Sequence, residues 1–215
     1  MTILLVVAKA PVPGLAKTRL CPPATPARAA AIAAAALLDT LDAVRATPGV
    51  TPVLALTGRL ADAARADEIW AALCGWAVIR QRGTGLGERL ANAHADARAM
   101  APGCPVLQIG MDTPQVRPAV LAAAARQLSD VDAVLGPAVD GGWWLLGLRD
   151  PSHAAALRTV PMSTAGTGAA TRAALRDHGL RVATAPDLSD VDTWADAVAV
   201  AGATPGSRFA AAVAR

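Results

Sequence analysis

Tyrosine is absent from this 215-residue sequence, phenylalanine occurs once, at Phe209, and lysine occurs only at Lys9 and Lys17. With few aromatic rings to stack bases, no basic block and a net charge of only +3, the sequence carries no signal for nucleic-acid binding, and a nucleic acid is not an expected partner. Cysteine is scarce too. Cys21, Cys74 and Cys104 are an odd number at wide spacing, without a CxxC pair or clustered histidines. That pattern argues against a structural zinc site and for a reducing, cytoplasmic setting. No apolar run reaches the roughly 18 to 20 residues that span a bilayer, so no membrane association is expected. The opening apolar run breaks at Lys9 and has no basic leader, which suits a buried strand better than a signal peptide. His94, His153 and His178 fall in or near helical stretches rich in Ala and Arg, and receive no catalytic role.

What is present is an alternation of short apolar runs with longer segments of helical period, the pattern of a mostly parallel sheet covered by helices on both faces. The expected class is a single-domain α/β, Rossmann-like fold over residues 1–200, followed by a C-terminal tail, 201–215, whose Pro205, Gly206 and Ser207 suggest loose packing. Strands are expected at Ile3–Ala8, Pro52–Thr57, Trp76–Arg80, Val106–Ile109, Ala133–Leu135, Trp143–Leu148 and Leu180–Ala183. Helices are expected over Pro26–Arg45, with Thr25 as N-cap, over Leu60–Leu73, from the end of the Gln81–Gly87 loop to near Pro102, and over Pro118–Leu128. A further helix over Thr167–His178 is stopped by Gly179, and Val191–Val200 reads as mixed loop and helix.

Ligands of open α/β sheets sit beyond the carboxyl ends of the strands, and the chemistry-bearing residues cluster there. The segment AKAPVPGLAKTRL after the first strand holds Ala8, Lys9 and Gly14, where backbone can approach a ligand, and the cations Lys17 and Arg19, suited to donor phosphates. Both lysines of the chain lie here, and no Walker A pattern is present. The loop Gln81-Arg82-Gly83-Thr84-Gly85 opens a helix; its glycines expose N–H groups and its Gln81 amide suits a base edge or a ribose. Asp112, in GMDTP, stands just past a central strand, where a carboxylate binds Mg²⁺ or Mn²⁺ or simply shapes the turn before Pro114. Asp140-Gly141-Gly142-Trp143 forms a turn that lets an acceptor approach, with Trp143 as a wall and Trp144 more suited to the core. In DLSDVDTW, Asp192 is the candidate second metal ligand; Asp190 is the alternative, or caps a helix.

Taken in order, AKAPVPGLAKTRL, QRGTGLGERL, IGMDTPQV, LGPAVDGGWWLLGL, MSTAGTGAATRAAL and DVDTWAD resemble a bacterial family commonly labelled as glycosyltransferases, with the nucleotide-diphospho-sugar transferase (GT-A) fold. The chain is more distantly similar to 2-phospho-L-lactate guanylyltransferases and molybdenum-cofactor nucleotidyltransferases. The resemblance implies that Asp112 binds Mg²⁺, that Asp192 completes the site, that Lys17 and Arg19 hold donor phosphates and that Gln81 reads the base. The first loop lacks the GGxGTR pattern of sugar nucleotidyltransferases, and Asp112 lacks the DxD pair of many glycosyltransferases. Two loop cations suit a triphosphate. The expectation is therefore a metal-dependent nucleotidyltransferase in which Lys17, Arg19 and Asp112 carry the chemistry and a small phosphorylated acceptor displaces pyrophosphate. A glycosyltransferase using a nucleotide sugar and a non-catalytic nucleotide-binding protein are the alternatives, and a homodimer is the oligomeric state to test.

Overall fold

The structure, a computed structural model, describes residues 1–215. A seven-stranded sheet is built from β1 (Thr2–Lys9), β2 (Val50–Thr57), β3 (Ala77–Arg80), β4 (Val106–Gly110), β5 (Ala133–Pro137), β6 (Trp143–Leu148) and β7 (Val182–Thr184), in the order β3-β2-β1-β4-β6-β5-β7. Only β6 runs antiparallel, between β4 and β5. All the other pairings are parallel, as the near-continuous apolar strands imply. The reversal at β6 follows from its link to β5: a tight turn at Asp140–Gly142 is far too short for a parallel crossover.

Alternate residues of each strand feed two cores. Leu4, Val6, Leu54, Leu107 and Ile109 pack beneath α1 (Pro26–Arg45), α2 (Ala66–Ala72) and α4 (Pro118–Gln127). Ile3, Leu5, Val53, Ala55 and Val106 face α3 (Leu86–Met100), while Leu135, Leu146 and Leu148 pack with Leu175 of α5 (Thr167–Asp177). α1 begins as expected, with the Thr25 hydroxyl accepting from the Arg28 N–H and Pro26 in the first turn. Its alanines are explained by burial on two sides. One side meets the sheet, and Ala29, Ile32 and Ala36 meet α6 (Trp194–Ala203) and α7 (Arg208–Ala214).

Three expectations need correction. The C-terminal tail is not loosely packed: Ser207 caps α7, whose Phe209 and Val213 share one face and enter the core behind α1. Turn-forming composition at residues 205–207 marks the start of this helix rather than the end of the fold. The helix expected over Leu60–Leu73 is broken into a 3₁₀ turn, Leu60–Asp62, and α2. There the Ala64 N–H donates to the Pro11 carbonyl, and Arg65 takes a left-handed conformation, φ 57°. A tertiary hydrogen bond to the first loop thus overrides local helical preference. A 3₁₀ helix at Pro151–Arg158, capped by Asp150 and packed against α3, had no counterpart among the expected elements.

Candidate active site

The carboxyl ends of β1, β2 and β4 open into one cleft of about 640 Å³, a size suited to a small-molecule ligand. Its walls include Ala8, Lys9, Lys17, Arg19, Gln81, Asp112, Asp140, Gly142, Trp143, Asp190 and Asp192. Segments from the whole length of the chain thus meet at a single sheet edge.

At the centre stands Lys17, in a left-handed conformation (φ 49°) at the head of a 3₁₀ turn, Thr18–Leu20. Its ammonium donates to Asp112 Oδ2 and to Asp192 Oδ1, both at 2.8 Å, with its side chain only 15% exposed. Arg19 lies outside, 76% exposed, with Nη1 3.5 Å from Asp192 Oδ2. The acidic segment is brought to Asp112 by backbone bonding: the Val191 N–H donates to the Asp112 carbonyl, and the Gln115 amide donates to the Ser189 carbonyl. Gly110 leaves room for the carboxylate, since a Cβ there would lie 2.6 Å from Asp112 Oδ1.

Burial alone would lower the Lys17 pKa, but the charges of Asp112 and Asp192 and their hydrogen bonds raise it above its ordinary value. Burial works the other way on Asp192, and Lys17 with Arg19 more than offsets it, holding that carboxyl below its usual range. Asp190 is not offset in this way. Burial, then the charges of Asp112 and Asp140, push its pKa up to about 8 against the weaker pull of Lys17, and its Oδ1 is sealed from solvent without a partner. Asp190 does not cap α6. That role belongs to Thr193, whose hydroxyl and backbone N–H form a capping box with Asp196.

No three Asp, Glu, His or Cys side chains enclose a metal site by themselves. Magnesium and manganese in phosphate-handling sites do not need such a cage, because one or two carboxylates suffice when phosphate oxygens and water complete the shell. Asp112 and Asp192 already converge on one cationic point, the Lys17 ammonium, and Asp190 adds an unpartnered oxygen beside them. This donor set fits a hard divalent cation.

The remaining expected residues divide. Asp140 shapes its own turn, its Oδ1 accepting from the Gly142 N–H. Gly141, at φ 89°, lies so close to Ala165 that a Cβ would overlap that residue's carbonyl oxygen, and the Gly168 N–H donates to the Gly141 carbonyl. The loop at residues 162–167 therefore joins the cleft wall, although MSTAGTG carried no assigned role in the sequence. Trp143 forms the expected wall, with its indole donating to Thr171, while Trp144 is core. Gln81 is partly diverted from a base: its amide nitrogen donates to the Ala8 and Ala55 carbonyls, leaving only its oxygen to face a ligand. Gly83, Thr84 and Gly85 do not line the cleft, and the Thr84 N–H is taken by Glu88. Gly14 and Gly141 do not line the cleft either. Sequence reasoning passed over Arg89 and Gln108, which do line it.

Behind Gln108 lies His94, fully buried on α3, its Nε2 3.0 Å from the Gln108 amide oxygen. Burial lowers its pKa from 6.5 to about 4, against the opposing effect of that hydrogen bond. Above pH 6.5 the imidazole is neutral in folded and unfolded chains alike. Below it, the unfolded chain takes up a proton that the folded one refuses, so stability is lost as pH falls towards 4. Between pH 7.5 and 4.5 the wild type should lose roughly 2–3 kcal/mol more than a His94→Gln variant, as read from urea unfolding midpoints. Equal losses would show that His94 is not held neutral.

The fold and the cleft are of the nucleotide-diphospho-sugar transferase (GT-A) type. The chain belongs to the family described as an uncharacterized protein conserved in bacteria (DUF2064), which matches residues 40–164. It is 35% identical over 207 residues to a phosphoenolpyruvate guanylyltransferase of Streptomyces coelicolor, covering 93% of this chain and 91% of the relative. Among solved structures, one from Desulfovibrio desulfuricans G20, assigned by name as a nucleotide-diphospho-sugar transferase, superposes with a TM-score of 0.84 at 27% identity, covering 100% of this chain and 95% of that one. The manganese complex of Rv0371c from Mycobacterium tuberculosis H37Rv shares the fold, with a TM-score of 0.56 at 22% identity over 93% of this chain and 98% of that one.

Proposed function

We propose that the chain transfers a nucleoside monophosphate from a nucleoside triphosphate to the phosphate of a small phosphorylated acid, releasing pyrophosphate. The observation that carries this reading is the Lys17 ammonium held between Asp112 and Asp192 in the floor of the cleft. The two carboxylates are the ligands for Mg²⁺ or Mn²⁺, with Asp190 adjacent, and the bound ion supplies positive charge to the donor phosphates. Lys9, which follows Ala8 at the end of β1, and Lys17 and Arg19, on the loop beyond it that contains Gly14, orient the triphosphate. The Gln81 loop, with Gly83, Thr84 and Gly85 behind it, supports the base.

In the reaction an acceptor phosphate oxygen attacks the α-phosphorus and forms a new P–O–P bond. The bond between the α-phosphorus and the α–β bridging oxygen breaks, and its electron pair leaves with pyrophosphate. Lys17 and Arg19 neutralise the negative charge that grows on that leaving group. The turn at Asp140–Gly142 and the Trp143 wall position the acceptor. The three free cysteines suit a reducing, cytoplasmic setting.

The relative's name supplies a first substrate pair, guanosine triphosphate with phosphoenolpyruvate. Incubation of the protein with Mn²⁺, each nucleoside triphosphate and phosphoenolpyruvate should release pyrophosphate. The Lys17→Met variant should do so roughly 10²- to 10³-fold more slowly, the range for losing one charge-stabilising donor. Release of a nucleoside diphosphate from a nucleotide sugar, with no pyrophosphate from any triphosphate, would replace this reading by glycosyl transfer.

A further inference from the structure

Two arginines line the cleft, and they differ in a way the donor site does not explain. Arg19 is exposed and leans on Asp192. Arg89, on the first turn of α3, is half-buried; its guanidinium makes no hydrogen bond, has no carboxylate within ion-pairing distance, and keeps its Nε sealed from solvent without a partner. A guanidinium stays charged at any ordinary pH and is costly to leave partly buried and unpaired, so its environment is complete only when an anion arrives.

Gln108, on β4, supplies the second element. It is 3% exposed yet lines the same cleft. Its contact with His94 fixes which end of the amide is free. If the Gln108 nitrogen donated to His94 Nε2, the proton would sit on His94 Nδ1, which is buried and has no acceptor. The opposite arrangement leaves only an unpaired lone pair there, which costs less. The Gln108 oxygen therefore accepts from His94, and its amide nitrogen, with no protein partner and not sealed from solvent, is turned to the cleft.

The start of α3 adjoins the proposed acceptor wall, with Leu90, next to Arg89, in one cluster with Trp143 and Met162. The start of α3 packs on the 3₁₀ helix at Pro151–Arg158 and on Met162, with Gly87 so close to the Leu157 carbonyl that no Cβ fits. Trp143 and the 162–167 loop complete the same wall. The proposed donor cations Lys9, Lys17 and Arg19 come from the end of β1 and the loop that follows it.

We infer that Arg89 and Gln108 form a carboxylate subsite for the acceptor, so that the acceptor is an acid whose carboxylate is gripped by the Arg89 guanidinium and the Gln108 amide while its phosphate is left to react. The subsite rests on the nucleotidyl-transfer reading for its name as an acceptor site, but its ligand chemistry is testable without turnover. A planar guanidinium matches a planar carboxylate with two parallel N–H donors.

The test is calorimetric titration of the full chain, with Mn²⁺ present, using phosphoenolpyruvate and glycerol 2-phosphate, which has a phosphate but no carboxylate. The wild type should bind phosphoenolpyruvate more tightly. Arg89→Met should weaken that binding roughly 10- to 100-fold and leave glycerol 2-phosphate unchanged, with Arg89→Lys recovering part of the loss. Gln108→Glu keeps an oxygen for His94, removes the amide donor and adds a like charge, so it too should weaken phosphoenolpyruvate selectively. Equal weakening of both probes, no binding of phosphoenolpyruvate by the wild type, or loss of nucleoside triphosphate binding instead would each overturn the subsite. Arg89-dependent binding of phosphoenolpyruvate without pyrophosphate release from any triphosphate would keep the subsite and overturn nucleotidyl transfer.

Discussion

Replacing Asp112 by Asn should lower kcat/KM by roughly 10³-fold, equivalent to about 4 kcal/mol of transition-state stabilisation. The substitution preserves shape and one oxygen, so the backbone bond from Val191 to the Asp112 carbonyl is retained and the cleft keeps its walls. What disappears is one of the two charges that converge on Lys17. With a single carboxylate left, the proposed metal site loses half of its charged ligands, and the Lys17 ammonium settles on Asp192 alone. The measurement is pyrophosphate release across a Mn²⁺ titration, together with thermal unfolding to show that the variant is folded. Retention of a tenth or more of wild-type turnover, or unchanged Mn²⁺ dependence, would remove Asp112 from the centre of the site.

Phe209→Ala should destabilise the chain by about 3–5 kcal/mol, the cost of truncating a buried aromatic. For a domain of this size that is roughly 6–20 °C in Tm. Phe209 is fully buried against α1 in a cluster that also holds Leu20 and Val191. Its own N–H donates to Asp39, and Arg208 pairs with Asp39 and Asp42. Leu20 ends the 3₁₀ turn that carries Lys17 and Arg19, and Val191 separates Asp190 from Asp192. The C-terminal helix thus braces both halves of the acidic and cationic centre from behind, and turnover should fall in parallel with stability. A Tm shift of only a degree or two would restore the picture of a loosely attached tail.

The sheet was legible because its strands are short, apolar and separated by helical periods; even the boundaries of α1 follow from Thr25, Pro26 and the buried alanines. Lys17, Arg19, Asp112, Asp140 and Asp192 were also legible, since each follows a strand end or a turn that must open at one edge of such a sheet. Arg89 and Gln108 were not. Arg89 is one arginine among many in a helix, and Gln108 interrupts an apolar strand where only its burial against His94 reveals that the interruption is meant for the cleft. The Gln81 loop misled in the other direction: glycines suggested free N–H groups, but Glu88, one helical turn on, takes the Thr84 N–H.

By itself, then, the sequence determined the α/β class, the strand-end location of the candidate site and the family. Periodicity and short motifs are local, and local spacing is enough to set them. Tertiary structure alone decided that Lys17 sits between two carboxylates, one 95 and the other 175 residues further along the chain. It also decided that Asp190 is left without a partner and that Arg89 waits without a counter-ion. Charge pairing and desolvation depend on which groups meet in space, and groups so far apart in the chain meet only when the sheet brings their strand ends together.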